Sequence, residues 1–260
     1  MNRKYSILIF SILIALAGML KADNKNVGNN YQNWMDSANT AYSNQQYDKA
    51  VMYYQQVLDH GITSADLHYN LGNAWYKQNR TAEAILHYEK ALKYNPKHSD
   101  ARFNLELANN RITDRITPPD IPFYEQWYNQ LWQSQTLSEW TTISIVVFIL
   151  LVFAVVIFIF TRSILTKKIL LPVAILMLLL TFSSLHMASK AKSYVENDKN
   201  AIVFNYSLNV KSAPSKTGTD LFTIHEGLKI EILNEMGEWT RISIVDGRMG
   251  WIPSSAYKKI

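Results

Sequence analysis

The chain of 260 residues contains no cysteine. Disulfides, thiol catalysis, lipid attachment through a cysteine and thiolate metal sites are therefore excluded. Any part of this chain that leaves the cytoplasm has to hold together by packing alone. Familiar catalytic spacings are missing as well. The six histidines, His60, His68, His87, His98, His186 and His225, form no H-E-x-x-H or other metal spacing. No Walker loop, G-x-S-x-G or dinucleotide motif is present, so the sequence points to no enzyme active site, no cofactor and no metal. A basic stripe is absent too. The net charge is +5, yet residues 31–115 sum to zero and residues 116–140 to −3. The excess sits largely at targeting and topology positions, which removes a nucleic-acid reading.

What the sequence does have is two long apolar runs. Residues 141–160 contain no charged residue and are long enough to span roughly 30 Å of hydrocarbon. Residues 169–185 form a slightly shorter run with Pro172 near its start. Arg162, Lys167 and Lys168 lie between them, whereas residues 116–140 carry Asp120, Glu125 and Glu139 and no cation. Short cytoplasmic loops hold the excess of Lys and Arg. The expectation is a transmembrane hairpin, with helices at 141–161 and 169–187, a cytoplasmic loop, and both flanking regions on the periplasmic side of the inner membrane. The start agrees. Arg3 and Lys4 precede an apolar stretch and small-residue cleavage patterns at Ala15–Ala17 and Ala22, so residues 1–22 read as a secretory signal peptide, with an uncleaved anchor as the alternative.

Between these segments the sequence repeats itself after 34 residues. Superposing residues 36–58 on 70–92 matches Ala38 with Gly72, Ala50 with Ala84, Tyr54 with Tyr88 and Val57 with Ala91. Two antiparallel helices that cross closely need small residues at the crossing and bulky ones around it. Period and residue types resemble the tetratricopeptide (TPR) repeat. Trp34 sits at the repeat's fourth position and Pro96 ends the second repeat, while Ser37 and Ile62 depart from the pattern in the first. The reading is an all-α array over residues 31–115, with repeats at 31–64 and 65–98 and a capping helix at 99–111.

TPR arrays bind peptides or partner helices in the groove lined by their first helices. By the family's positions that groove presents Met35, Asn39, Tyr42, Tyr69, Asn70, Asn73, Tyr76, Lys77, Phe103, Asn104 and Arg111. Asparagine suits an extended peptide because it carries both a donor and an acceptor. Asn39 and Asn70 match two positions of the carboxylate-clamp TPRs. Met35, Asp100 and Asn104 stand where that clamp has cations, which argues against capture of a C-terminal carboxylate.

Residues 116–122, I-T-P-P-D-I-P, form a stiff linker. Phe123, Tyr124, Trp127, Tyr128, Trp132 and Trp140 then crowd together, as expected of an interfacial helix feeding the first span. Thr136 and Glu139 have the spacing of a capping box.

After the hairpin, residues 200–260 break into short β-rich segments with Gly227, Gly237, Gly247 and Gly250 at or beside the breaks. Asp246-Gly247 is a hairpin turn signal. The order N-V-K-S-A-P-S, E-G-L-K-I-E-I-L, G-E-W-T-R-I and D-G-R-M-G-W-I resembles the bacterial SH3 (SH3b) domain, a small all-β barrel. Ala213 replaces the family's usual glycine. The resemblance implies that Trp239 and Trp251 serve packing and groove lining together, against protein segments or cell-wall peptides.

The whole order resembles the BatE-type membrane proteins of the Bat aerotolerance operons, and the R-I-T-P-P-D-I-P-F-Y-E-Q-W linker carries that match most specifically. It implies a non-enzymatic, membrane-anchored scaffold whose protein partners are other Bat-type membrane proteins. Peptidoglycan is the alternative ligand, in a wall receptor or sensor.

Overall fold

The computed structural model describes residues 25–116, 120–196 and 199–260, with side chains from residue 31 onward. Residues 1–22, where a signal peptide is expected, and Thr117–Pro119 of the linker lie outside the described residues. The chain divides into two compact units at Ile62 and Thr63.

The first unit holds α1 (Lys25–Ser43) and α2 (Tyr47–Asp59). Ala38, Ala41, Ala50, Tyr54 and Val57 are buried, so the small residues of the repeat lie inside and one large ring fills the space around them. Ser37, where a TPR has leucine, is exposed and donates to the Asn33 carbonyl at 2.8 Å. It lines an open polar cleft with Asp36, Thr40 and Lys49. A leucine there would face water.

In the second unit α3 (Ala65–Lys77) and α4 (Thr81–Tyr94) form the second repeat, followed by α5 (Ser99–Asn109). Ser64 caps α3 by accepting from the Leu67 amide at 3.1 Å. Asp66 and Lys77 complement the helix dipole at its two ends. Gly72 sits at the crossing: a Cβ there would lie 2.7 Å from the Tyr88 ring and 3.3 Å from the Ala84 carbonyl.

Helix α6 (Phe123–Trp132) leads to the apolar helices α7 (Leu137–Phe160) and α8 (Ile164–Glu196). The capping box starting α7 is formed, with the Glu139 amide donating to Thr136 Oγ1 and the Thr136 amide to the Glu139 carboxylate. Both helices are long and apolar enough to cross a membrane. They pack on each other, with Ser144 and Ala154 buried on α7 and Thr181, Ser184, Met187 and Ala191 buried on α8, and most of their large apolar side chains point outward. Helix α8 outruns the apolar stretch at both ends. Ser163 accepts from the Thr166 amide and starts the helix early, so Lys167 and Lys168 ride on its first turns and Pro172 falls inside it. At the far end Ala188, Lys190, Ala191 and Lys192 sustain the helix to Glu196, supported by a Lys192–Glu196 pair one turn apart. This end docks on α6, with Tyr194 against Trp132 at 5.0 Å and Tyr128 hydrogen-bonded to His186 at 2.9 Å.

The remaining chain is an antiparallel sheet of β1 (Asn200–Val203), β2 (Ser207–Lys211), β3 (Asp220–His225), β4 (Lys229–Met236), β5 (Trp239–Ile244), β6 (Met249–Pro253) and β7 (Tyr257–Lys259). The strand order is β3-β2-β6-β5-β4-β1-β7. Alternate residues face one core, including Val203, Val210, Ile224, Ile230, Ile242 and Ile252. Gly247 supplies the left-handed residue of the β5–β6 turn, with φ of 87°.

The barrel does not stand apart. Ala201 and Val203 of β1 face the barrel core, and Ile202 between them points the other way, into a cluster with Ile85, Leu86 and Tyr88 of α4, Ala108 of α5 and Ile260. Helix α4 is buried without interruption from Ala82 to Tyr88, because α3, α5 and the barrel all pack around it. Lys93 donates to the Ile260 carbonyl and Lys229 to Glu89, both at 2.7 Å. The segment after α5 joins in. Asp114 accepts from the His225 amide at 2.6 Å, Ile112 meets Gly227, and Ile116 packs on the barrel core. A third repeat would place a second helix after α5; here the barrel covers the array instead.

Candidate functional site

The predicted groove residues fall into both units. In the first, Asn39 is exposed on α1 and its side-chain carbonyl accepts from the Tyr54 hydroxyl at 2.6 Å. Burial, reinforced by Tyr42, pushes that phenol up to about 12. Tyr42 is half-buried, edge-on to Tyr47 at 5.4 Å. Met35, expected to line the groove, is buried, as suits its apolar side chain.

In the second unit Tyr69, Asn70, Asn73, Tyr76 and Lys77 lie on one face of α3, and Phe103 and Asn104 on the corresponding face of α5. The structure joins several of them. Asn73 accepts from the Tyr88 hydroxyl and from the Asn104 amide, both at 2.8 Å. Asn39–Tyr54 and Asn73–Tyr88 are the same bond, 34 residues apart. The carbonyls of these asparagines therefore orient a buried tyrosine, and the amide NH2 of each is the part that faces outward. The guanidinium of Arg111 stacks over Tyr76 at 4.1 Å. Sequence reasoning did not single out Leu107, which is 40% exposed one turn beyond Phe103 at 61%. The repeat offset from Asn73 to Leu107 was the available signal.

On the barrel, Trp239 and Trp251 are half-buried and share the outer face, opposite the buried Thr240 and Ile252. Trp251 pairs with Arg241 and Lys211 on its two sides, and Trp239 pairs with Pro253 and Met236. Lys211 is also in an ion pair with Asp220. Neither tryptophan belongs to the cluster packed on α4.

A buried histidine pair lies between α3 and α4. His68 and His87 meet Nδ1 to Nδ1 at 3.0 Å, with Tyr94 stacked on His68 and Thr63 at its Nε2. Burial, with a smaller effect of Lys90, pulls His68 down to about 4. His87 is held well below the usual histidine range, first by burial and then by His68, Lys90 and Lys258. Among the described residues no group of three or more His, Asp or Glu side chains is placed to hold a metal.

Comparison with known families fits this anatomy. Residues 65–98 match the tetratricopeptide repeat and residues 207–257 the bacterial SH3 domain. No curated protein matches the chain. The chain thus carries one module of each kind, both typically non-catalytic and used for binding, together with two helices apolar enough for a membrane.

Proposed function

We propose that the chain is a non-enzymatic, membrane-anchored scaffold that gathers protein partners on the periplasmic face of the inner membrane. The observation that carries this reading is the shared cluster of Ile85, Leu86, Ile202 and Ile260, which joins repeat and barrel into one body. Both binding modules are held by the same frame, and that frame is continuous with the apolar hairpin. The outward-facing apolar side chains of the hairpin, such as Phe148, Phe153, Leu179 and Phe182, favour lipid surroundings over a soluble core. The cations Arg162, Lys167 and Lys168 at its turn favour a cytoplasmic turn. Segment order and linker sequence favour a Bat-type assembly, with other Bat-type membrane proteins as partners.

The absence of cysteine makes topology directly testable. Single cysteines at Ser64, Ser163 and Ser215 are expected to react with a membrane-impermeant reagent in spheroplasts, except at Ser163; labelling at Ser163 with protection of the other two overturns the orientation. Partner capture tests the surfaces. Affinity purification from membranes is expected to lose partners when Tyr76→Ala is combined with Trp251→Ala, and an unchanged set of partners would move the binding surface elsewhere. The alternative, a wall receptor, draws on the same Trp239–Trp251 face. Co-sedimentation of the full-length protein with purified wall fragments, lost in Trp251→Ala, would favour it.

A further inference from the structure

The face that α3 and α5 share in the second unit has a charge arrangement that narrows the kind of partner, on the reading above that this face is where partners bind. Asp66 opens α3 and Asp100 opens α5, and both are exposed. At the other ends of the same faces stand Lys77 and, in the turn after α5, Arg111, both exposed. His98 approaches Asp66 at 3.4 Å. Lys77 has no ion pair among the described residues, and Arg111 has only its stacking on Tyr76. Because α3 and α5 are equivalent helices of the repeat, like charges fall in rows: acids along one edge, cations along the other. Between the rows lie Phe103 and Leu107, both large, apolar and exposed.

We propose that this face takes an amphipathic helix of a partner protein that is polarised in charge. Its apolar stripe rests on Phe103 and Leu107, its acidic flank faces Lys77 and Arg111, and its basic flank faces Asp66 and Asp100. An apolar stripe supplies the buried area, and the two charge rows set the direction in which the helix lies. A segment with mixed charges on both flanks meets like charge on each edge and binds less well.

Two labelled peptides of equal length and composition serve as probes, each with one leucine stripe. One carries Glu on one flank and Lys on the other; the other has both mixed on both flanks. Fluorescence anisotropy with the full-length protein in detergent is expected to show the polarised peptide binding about tenfold more tightly at low salt. The Lys77→Glu/Arg111→Glu variant is expected to erase that preference. Phe103→Ser/Leu107→Ser, which changes exposed side chains and leaves folding intact, is expected to remove binding of both peptides. Equal affinity for the two peptides, with loss of both in the Phe103/Leu107 variant, overturns the charge inference and leaves the groove reading standing. If neither peptide binds, both readings are overturned.

Discussion

The two repeats have the same backbone and very different surroundings. Each crosses two helices at a small residue, Ala38 or Gly72, and each ties a buried tyrosine to the asparagine at the same repeat position. Even the backbone of the helix connection recurs, with Gln45 and Asn79 both at φ of 60°. Yet α2 buries only Ala50, Tyr54 and Val57, whereas α4 is enclosed by α3, α5 and the barrel together. The repeat signature fixes how two helices cross and leaves open what covers the second one. That outer face is where this protein attaches a different domain.

The sharpest way to break the comparison is to overfill both crossings. Gly72→Leu has to displace the Tyr88 ring and the Ala84 carbonyl, and is expected to cost upwards of about 3 kcal/mol. Because α4 also carries the barrel, hydrogen exchange is expected to rise in α3, α4 and β1 together. Ala38→Leu in the first repeat is expected to raise exchange in residues 25–62 and leave the barrel protected. Equal spreading of both effects would show that burial around α4 is not what separates the repeats.

Ile202→Ala addresses the barrel side alone. Deleting this buried side chain is expected to cost about 2–5 kcal/mol and to lower the melting temperature of repeat and barrel in one transition. Two separated transitions would mean that the interface contributes little.

Acid separates the repeats chemically, since Trp34 and Tyr53 in the first occupy the positions of His68 and His87 in the second. A histidine near 6.5 when unfolded and about 4 when folded is neutral in both states above that window. As pH falls through 6.5 the unfolded chain takes up a proton that the folded one refuses. Stability is therefore full at neutral pH, falls toward pH 4, and levels off below it. The loss from His68 is on the order of 3 kcal/mol, and His87 acts in the same direction. Urea unfolding between pH 7 and pH 4 is expected to show this slope in the second unit, and His68→Gln/His87→Gln to flatten it. The smallest effect is at the turns. Gln45→Gly relieves a left-handed residue and is expected to stabilise the first repeat by about 1 kcal/mol, while Asn79→Gly gains less because asparagine tolerates that conformation. Thermal melts of the two variants check the order.

Much of this architecture was legible in the sequence because its signals are local. The 34-residue period, the Thr136–Glu139 capping box, the apolar runs and the Asp246-Gly247 turn each concern residues close in the chain or repeated at fixed spacing. The docking of Ile202 on α4 was not legible. In sequence it is one of three apolar residues in a four-residue strand, and nothing local says that it faces away from its own barrel. The extension of α8 to Glu196 was hidden because its polar residues read as linker while being good helix formers. The candidate surfaces were partly legible: Asn73, Tyr76 and Asn104 follow from repeat position. That Asn73 is held by Tyr88 and Asn104 needed side-chain geometry, although recurrence of the Asn–Tyr pair was a usable clue.

The length of α8 sets a working distance. Its 33 residues extend about 50 Å, and a bilayer core takes about 30 Å of that. On the membrane reading proposed above, residues 188–196 carry about 14 Å of helix beyond the apolar stretch on the barrel side, and β1 begins only four positions after Glu196. The barrel is thus mounted on a short pedestal with almost no tether. On that reading the barrel's reach is confined to a thin shell above the lipid, so a partner has to meet it at the membrane surface.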